Sequence, residues 1–416
     1  MLLADIVVVG GGCIGLSIAT RLRRSLPGAR VLLLEKEHQC GLHASSRNSG
    51  VIHAGFYYSS NTMKAKMTRD GNRALTEFIL DRSLYLNQCG KLVVAQSQQE
   101  LERLDILYER GLMNGVDVKM VSAGEARDID PIARTFERAI WSPTTSVADP
   151  EQVNAAQVQD ALDAGVTIQI GQRLTKVSRI PSGLRLTTST SETIDAAHLV
   201  NAAGLYADQI AHLCGIGLQY MVVPFRGMYL RCEPGQIGLR TNIYPVPDLR
   251  QPFLGVHWTV GRHGTPKIGP TSMPGASREH YAGVPNLDES IPILAQLMRM
   301  MWHDRDGIRG LARRELVKWR KSGMWAAAYG LVSIPSDLSR SGEWLKPGIR
   351  AQLIRLRDAG FVHDFVVEGD QRSTHVLNAV SPAWTCSIPI SEHVVHDHVL
   401  PQLNKQNKRS YNYNNE

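Results

Sequence analysis

The sequence lacks several features that mark membrane-spanning, disulfide-bonded and metal-binding proteins. No apolar run reaches the roughly 20 residues that a membrane-spanning helix needs. The six cysteines are scattered without a C-x-x-C pair, which argues against a structural zinc site and against a disulfide reductase. We find no internal repeat, and we predict no metal site. An ordinary globular protein remains, whose 416 residues suffice for two packed domains.

Positive charge exceeds negative charge by seven, and part of the excess is concentrated around Trp319, where Glu315 is the only acid. We favour a helix face exposed to water as the interpretation of this segment, and contact with an anionic surface is the alternative. No recognised nucleic-acid-binding motif accompanies the charge, so a nucleic-acid partner is not expected. The basic residues of the segment are Arg309, Arg313, Arg314, Lys318, Arg320 and Lys321.

The start of the chain bears on where the protein acts. A predicted buried strand begins at Ile6, which leaves no room ahead of it for a cleavable targeting segment. We therefore expect a cytoplasmic protein, and the basic segment suggests a peripheral contact at the inner face of the membrane. At the other end, the polar residues 401–416 are expected to form a disordered tail.

The strongest pattern is a glycine-rich turn between two apolar runs. Ile6–Val9 is a continuous β-branched run, typical of a strand buried on both faces of a parallel sheet. Three glycines with G-x-G-x-x-G spacing follow and open a segment with helical periodicity. A second apolar run, Val31–Leu34, then ends on Glu35. This unit predicts a dinucleotide-binding site. Its glycines are Gly10, Gly12 and Gly15.

Each part of this unit has a physical reason. We expect Gly10 to make the tight turn, Gly12 to let a pyrophosphate approach the backbone, and Gly15 to let the helix pack closely. The helix start adds amide groups and roughly half a positive charge. Glu35 stands where a carboxylate accepts hydrogen bonds from the adenosine ribose. A glycine triplet alone is a weak signal, but the acid twenty residues beyond Gly15 makes the pattern specific.

Three later segments repeat the pattern of a strand followed by small residues. Residues 43–58 are rich in glycine and hydroxyl side chains, residues 198–208 pass through Ala203 and Gly204, and residues 374–382 end on Ser381-Pro382. We expect Pro382 to open a helix whose start faces the ring of the cofactor. Strands that return from distant parts of the chain predict a discontinuous Rossmann-like domain over 1–80, 146–214 and 341–400.

The segments between, 81–145 and 215–340, are predicted to form a second α+β domain on a mostly antiparallel sheet. Two of its strands are expected at Pro224–Leu230 and Pro252–Val260, each carrying a polar residue among apolar ones. Leu287–Trp302 has the periodicity of a helix, with an apolar, methionine-rich stripe. Such stripes usually pack in a core, and we expect this one to do so. Its members are Ile291, Leu294, Leu297, Met298 and Met301.

Beyond these patterns, the chain resembles the FAD-dependent oxidoreductases of the D-amino-acid oxidase and glycine oxidase superfamily, and within it the L-2-hydroxyglutarate dehydrogenase/oxidase family. The resemblance covers almost the whole chain before residue 400. It implies FAD as cofactor and oxidation of a dicarboxylate, L-2-hydroxyglutarate, to 2-oxoglutarate by hydride transfer to flavin N5. The motifs that carry it are RNSGVIHAGFYY at 47–58, CGKLVVA at 89–95, NAAGLYAD at 201–208, PFRGMY at 224–229, IYPVPD at 243–248, PFLGVH at 252–257, PGIRAQ at 347–352 and HVLNAVSPAWT at 375–385.

The resemblance also implies roles for single residues. Arg350 matches the arginine that grips the substrate carboxylate, assisted by Gln352, and Tyr58 and Arg226 are candidates for the second carboxylate. His53 and His257 are the candidates for removing the hydroxyl proton, and we prefer His53 because it lies in the flavin loop. The implied FAD-binding positions are Gly10, Gly12, Gly15, Glu35, Lys36, Ser45, Ser46, Asn48, Ser49, Gly50, Val177, Ala203, Gly204, Asn378 and Ser381.

Several alternatives stay open. A single dinucleotide signature argues against bound NAD(P)H, so the electrons are expected to leave to oxygen or to a quinone-type acceptor. An amino-acid or amine oxidase of the same superfamily is the second hypothesis. The third is a flavoprotein without catalytic activity, because the final turn of the family commonly reads Asn-Ala-Pro-Ser-Pro-Ala-Ala whereas this chain has Val380 and Trp384 in place of the first proline and the last alanine.

Overall fold

A computed structural model describes residues 2–233, 235–249, 253–335 and 341–405. The helices of the described residues are α1 (Cys13–Ser25), α2 (Met63–Asp81), α3 (Gln98–Met113), α4 (Ala123–Ile129), α5 (Pro150–Asp163), α6 (Ala207–Leu213), α7 (Leu287–His303), α8 (Ile308–Val317), α9 (Lys321–Tyr329) and α10 (Ser387–His393). None of them is long and apolar enough to cross a lipid bilayer.

The strands fall into two large sheets and two small ones. They are β1 (Leu2–Val9), β2 (Val31–Leu34), β3 (Val51–Ile52), β4 (Leu86–Asn87), β5 (Lys91–Val94), β6 (Lys119–Ser122), β7 (Arg138–Ser142), β8 (Ser146–Ala148), β9 (Thr167–Gln169), β10 (Leu174–Ile180), β11 (Gly183–Thr188), β12 (Thr193–Asn201), β13 (Tyr220–Gly227), β14 (Leu230–Arg231), β15 (Asn242–Pro245), β16 (His257–Val260), β17 (Pro266–Gly269), β18 (Met273–Pro274), β19 (Glu343–Trp344), β20 (Gly348–Arg355), β21 (Val366–Gly369) and β22 (Ser373–Asn378).

The first large sheet is the predicted Rossmann-like layer. Its order is β10-β11-β12-β1-β2-β9, with β22 and β21 beyond β12, and β1 runs parallel to both β2 and β12. The β-branched run at the centre explains the position of β1, because Val7 and Val8 are fully buried from both faces. Helix α1 packs on one face with α5 and α10. The carboxyl ends of β1, β2 and β12 therefore meet at one edge, where a dinucleotide binds in this architecture.

The second large sheet has the order β19-β14-β17-β16-β15-β5-β7-β6. All of its pairs are antiparallel except β5 with β15, as predicted for the second domain. A separate three-stranded sheet has the order β18-β13-β20, and its register pairs Phe225 with Arg350. The predicted domain boundaries stay a prediction, and β19 shows the antiparallel sheet continuing past residue 340.

Side chains at the starts of two helices accept hydrogen bonds from the free backbone amides there. Ser122 and Glu125 form a capping box at the start of α4, and the carboxylate of Asp149 accepts hydrogen bonds from two amides at the start of α5. The helix predicted at Pro382 begins later, at Ser387, and Pro382 lies in the turns before it. The chain stays helical through residue 405, so the prediction of a tail disordered from 401 is wrong for 401–405, and 406–416 lie outside the described residues.

The largest departure from expectation is the methionine-rich face of α7. Ile291, Leu294, Met298 and Met301 are exposed, and Leu297 alone of the predicted stripe packs against a core cluster. The residues that bury α7 are Ser290, Ile293, Gln296 and Met300, which lie on the opposite side of the helix. Periodicity identified the helix correctly and its buried face wrongly, because both faces of α7 carry apolar side chains.

The strand predicted at Pro252–Val260 is also shorter than expected. Only His257–Val260 forms β16, Phe253 to Val256 are irregular, and Pro252 lies outside the described residues. The irregular segment carries Phe253 and Gly255 to the wall of the site described next.

Candidate active site

The glycine-rich turn has the close contacts that the sequence predicts. Gly10 has φ +110°, and a Cβ there would lie 2.5 Å from the carbonyl oxygen of Ala202, at the end of β12. A Cβ on Gly15 would lie 1.9 Å from the carbonyl oxygen of Gly10, so only glycine lets α1 start against this turn. Glu35 is buried, and its two carboxylate oxygens accept hydrogen bonds from the amides of Gly11 at 2.7 Å and Glu37 at 2.9 Å.

A cavity of about 780 Å³ begins at this turn and extends to β20 and the 379–385 turns. The lining includes the glycine backbone at the start of α1, the buried carboxylate of Glu35 and the guanidinium of Arg350. Together these groups fit a dinucleotide with a ring system such as FAD. Val380 and Trp384, where the chain departs from the family pattern, both line it. The predicted cofactor residues in the lining are Gly10, Gly12, Glu35, Lys36, Ser45, Asn48, Ser49, Ala203, Gly204 and Ser381.

The remaining predicted cofactor residues are not part of this lining. Asn378 is fully buried and donates to the carbonyl oxygens of Val362 and Asp364. Gly50 has φ +77°, and a Cβ there would lie 2.4 Å from the carbonyl oxygen of Ala148, so it serves a close backbone approach. Among the predicted cofactor residues, all of them within the described part of the chain, those that do not line the cavity are Gly15, Ser46, Gly50, Val177 and Asn378.

A smaller pocket of about 50 Å³ adjoins the cavity at its far end. Both are lined by Ser49, His53, Tyr229, Arg350 and Ser381, so a molecule in the small pocket would adjoin a ligand that fills the larger cavity. The inner wall of the small pocket is formed by Tyr244, Phe253, Leu254, Gly255, His257, Pro270 and Ser272. Arg350 and both candidate histidines are therefore brought together, as the sequence predicts.

Arg350 is held by neutral groups. Its Nη1 donates to the carbonyl oxygen of Thr271 at 3.1 Å and lies 3.5 Å from the hydroxyl of Ser272. Its guanidinium also lies 5.5 Å from the ring centre of Phe253. Burial lowers the pKa of Arg350, which still leaves it protonated at neutral pH. Since no salt bridge to Arg350 occurs among the described residues, its charge is available to an anionic ligand in the small pocket.

His257 is prepared to accept a proton. Its Nδ1 lies 2.9 Å from the carbonyl oxygen of Gly255, an acceptor only, so Nδ1 carries the hydrogen and Nε2 keeps its lone pair. Nε2 is buried and has no hydrogen-bond partner among the described residues. The ring stacks on Tyr244, with 3.7 Å between ring centres. Burial holds the pKa of His257 well below its usual range, so the imidazole is neutral.

His53 lies at the junction of the two cavities. Burial is the main cause that lowers its pKa to about 3, and the nearby Lys91 ammonium contributes. Its backbone amide donates to the hydroxyl of Thr385, which ties this part of the flavin loop to the turn at 385. Its place in the flavin loop makes His53 the base preferred from the sequence, whereas the fixed tautomer of His257 and its Nε2, which has no hydrogen-bond partner among the described residues, favour His257.

The three other predicted substrate residues lie away from the small pocket. Arg226 donates to the carbonyl oxygen of Tyr281. Gln352 is fully buried and donates to the carbonyl oxygens of Leu353 and Val362. Tyr58 packs beside the cluster that contains Phe56, with Lys64 near its ring. The described structure assigns each of them local contacts, and none lines either cavity.

Lys91 and Tyr244 are parts of this site that sequence reasoning missed. Lys91 is fully buried at the start of β5, and its Nζ has no hydrogen-bond partner among the described residues. The ammonium lies 4.5 Å from the ring centres of Phe56 and Tyr57 and 5.0 Å from that of Tyr244. Burial lowers its pKa to about 7. The signal in the sequence is a lysine that opens an otherwise apolar strand, KLVV.

Comparison with known proteins agrees with a cavity that fits FAD. Residues 5–369 match the family described as FAD dependent oxidoreductase (DAO). The L-2-hydroxyglutarate dehydrogenase of Escherichia coli K12 is 33% identical over 396 residues, covering 94% of this chain and 92% of the relative. The mitochondrial L-2-hydroxyglutarate dehydrogenase of Homo sapiens is 34% identical over 406 residues, covering 93% and 87%.

Solved structures agree on the fold. The FAD-bound L-α-glycerophosphate oxidase of Mycoplasma pneumoniae matches with a TM-score of 0.74 at 21% identity, covering 95% of this chain and 94% of that one. Glycine oxidase from Geobacillus kaustophilus matches with a TM-score of 0.68 at 19% identity, with the same coverage. The glycine-rich turn, the cavity and these relatives together establish that the chain is an FAD-dependent oxidoreductase of the DAO family, in the group that contains the L-2-hydroxyglutarate dehydrogenases.

Proposed function

We propose that this protein oxidises L-2-hydroxyglutarate to 2-oxoglutarate in the small pocket beside the flavin. The observation that carries the proposal is that one buried pocket holds both the Arg350 guanidinium, which has no salt bridge among the described residues, and the neutral His257 imidazole, whose tautomer is fixed. Arg350 binds the carboxylate next to C2, in the bidentate geometry that a planar guanidinium favours. This contact fixes the C2 hydroxyl relative to His257. The substrate names of the relatives supply the rest of the assignment.

The proton and the hydride have separate acceptors. Nε2 of His257 accepts the hydroxyl proton, and FAD, when bound, would supply the acceptor for the hydride from C2. The carbonyl of Gly255 stabilises the imidazolium that forms, since its oxygen accepts from Nδ1 in either charge state. The ring of Tyr244 holds the imidazole in its plane. Because the pocket is only about 50 Å³, the substrate displaces water from these groups.

We further propose that the electrons leave to oxygen or to a quinone-type acceptor. The chain has one glycine-rich dinucleotide signature, at 10–15, and residues of this signature line the cavity described above. We place the protein in the cytoplasm, with a peripheral contact at the inner face of the membrane.

The test is an anaerobic absorption spectrum of the purified holoprotein before and after addition of each enantiomer of 2-hydroxyglutarate. We expect a two-banded flavin spectrum that bleaches with the L enantiomer and not with the D enantiomer. A flavin spectrum that neither enantiomer changes would refute the substrate and point to the amino-acid or amine oxidase hypothesis. A colourless protein that FAD does not reconstitute would support the flavoprotein without catalytic activity.

Lys91 yields a separate prediction, because an unpaired buried ammonium has opposite consequences for stability and for activity. Lys91→Met is expected to raise the free energy of unfolding at pH 7 by about 1–3 kcal/mol, since methionine fills the same aromatic cage without an unsolvated donor. The folded pKa of about 7 lies below the usual 10.5, so the penalty is complete below pH 7 and disappears towards pH 10.5. The stability gain should therefore shrink as the pH rises. Chemical denaturation at pH 7 and pH 9.5 measures it.

The same variant should be a poorer enzyme at acidic pH. Burial is the main cause that lowers the pKa of His53 and of His257, and the Lys91 ammonium contributes, so its removal lets both values rise. The acid limb of kcat/KM is then expected to move to higher pH, because a protonated imidazole cannot accept the hydroxyl proton. A variant that is less stable than the wild type and unchanged in its pH profile would show that Lys91 is a structural residue only.

A further inference from the structure

Two histidines and an aspartate meet at the end of α10 and in the turn that follows it. His393 ends α10, and the chain continues directly into a π-helix over Val394–Val399. Nε2 of His393 lies 3.3 Å from Nε2 of His398, and Nδ1 of His393 lies 2.6 Å from a carboxylate oxygen of Asp397. None of the three residues lines the cofactor cavity or the small pocket, so the proposed reaction does not use them.

The π-helix brings the two imidazole rings together. In an α-helix, residues five apart point about 140° apart around the axis, so a spacing of five carries no metal signal in a sequence. A π-helix joins residues five apart by its hydrogen bonds, which brings His393 next to His398. Val394, Val395 and Val399 anchor this turn, because all three are fully buried in the cluster that contains α1. Turns of this kind are rare and occur frequently at functional sites.

The distance between the two Nε2 atoms matches the separation of two imidazole ligands on one metal ion. Zinc–nitrogen bonds are about 2.0–2.1 Å long, and a tetrahedral angle between two of them puts the nitrogen atoms about 3.3–3.4 Å apart. Nε2 of His393 and Nε2 of His398 are 3.3 Å apart. The backbone therefore already holds both nitrogens at the separation that a tetrahedral ion requires.

Asp397 prepares His393 to be a ligand. The ionised carboxylate only accepts hydrogen bonds, so Nδ1 of His393 carries the hydrogen and Nε2 of the neutral ring keeps its lone pair. Without a metal ion, Nε2–H of His398 donates to this lone pair, and on metal binding that hydrogen moves to Nδ1 of His398. Burial lowers the pKa of His398, which favours the neutral ring that a metal binds. A carboxylate behind a histidine ligand is common in metal sites, where it fixes the tautomer.

We propose that His393 and His398 bind a divalent late transition-metal ion, with Asp397 as a positioning residue that acts through His393. Imidazole nitrogen suits Zn²⁺, Cu²⁺ and Ni²⁺, whereas Mg²⁺ and Ca²⁺ prefer oxygen ligands. The side chain of His393 is 25% exposed, so an ion reaches the site from solvent. Within the described residues, no third histidine, cysteine or acid joins both rings at ligand distance, so water completes the coordination.

A second cluster of possible ligands is already occupied by a cation of the protein itself. Glu37, His43 and Glu279 converge beside the cofactor cavity, but the Lys36 ammonium forms ion pairs with both carboxylates. A metal ion there would have to displace this ammonium. We therefore assign the metal to the histidine pair, and His43→Gln separates the two possibilities.

The experiment is a titration of the chelator-treated holoprotein with Zn²⁺ at pH 7.5, in competition with a colorimetric zinc indicator. We expect one bound ion, and His393→Gln and His398→Gln should each lower the affinity at least tenfold. Asp397→Asn should lower it about tenfold, because a neutral amide holds the tautomer of His393 less firmly. Saturating Zn²⁺ should also raise the unfolding temperature of the wild type by about 2–4 °C and leave that of His398→Gln unchanged.

His396→Gln is the matched control, because His396 is an exposed histidine of the same π-helix. It should bind Zn²⁺ like the wild type, as should His43→Gln. The flavin spectrum should stay unchanged in the variants at 393, 396, 397 and 398, and the readout does not depend on the substrate. Equal loss of affinity in His396→Gln and His398→Gln would show adventitious surface binding only and would overturn the proposal. Loss in His43→Gln alone, or a wild type that binds no Zn²⁺, would overturn it as well.

Discussion

Replacing Arg350 with methionine is expected to lower kcat/KM for L-2-hydroxyglutarate by about 10²–10³-fold. The guanidinium is the charged donor that the small pocket offers to a carboxylate, and its own partners are the neutral oxygens of Thr271 and Ser272. Loss of a buried charge-assisted contact to a ligand costs about 2–5 kcal/mol, and each 1.4 kcal/mol is a factor of ten. Steady-state kinetics with an artificial electron acceptor measures the change, and most of it should appear in KM.

The control for this prediction is Arg226→Met. Arg226 is the neighbouring arginine on β13, and the sequence also suggested it for substrate binding, yet its side chain binds the carbonyl oxygen of Tyr281. We expect less than a threefold change in KM for this variant. Arg350→Lys should restore only part of the activity, because an ammonium cannot bind a carboxylate through two parallel donors. A larger loss in Arg226→Met than in Arg350→Met would reverse the assignment of the substrate arginine.

Local physical constraints explain which parts of the cofactor site the sequence could predict. The glycine turn, Glu35 and the small-residue turn at Ala203–Gly204 follow from backbone geometry, which allows few residue types at a close approach of strand, helix and ligand. The resemblance, and not backbone geometry, implied Asn378 and Gly50 for the cofactor. Asn378 donates to buried carbonyl oxygens and Gly50 serves a close backbone approach, and a sequence pattern does not distinguish such uses from contact with a cofactor.

The substrate pocket could not be predicted in the same way, because it is formed by contacts between segments that are distant in the sequence. The tautomer of His257 is set by Gly255 within an irregular segment that the sequence presented as strand, and its stacking partner, Tyr244, comes from a different strand. Lys91 reaches the same place from a third strand. The apolar face of α7 was misassigned for a related reason, because periodicity shows which residues share a side but not which side meets the core.

His257→Gln is expected to lower kcat about 10²–10⁴-fold with little change in KM. Glutamine keeps the size and polarity of the side chain but cannot accept a proton, and general-base catalysis commonly contributes a factor of this order. The effect should appear in kcat because the imidazole acts on the hydroxyl proton, whereas Arg350 holds the substrate. Rapid-mixing measurements of anaerobic flavin reduction isolate this step from reoxidation.

The dependence on pH separates the two histidines. Burial holds the pKa of His257 well below its usual range, so a base at this position is unprotonated, and flavin reduction in the wild type should stay constant as the pH falls from 8 to 6. In His257→Gln the residual rate should rise with pH, because hydroxide or deprotonated substrate must replace the base. His53→Gln, the matched control from the flavin loop, should lose less than tenfold and keep the flat profile. The opposite result, a rate that rises with pH in His53→Gln alone, would make His53 the base, as its place in the flavin loop suggested.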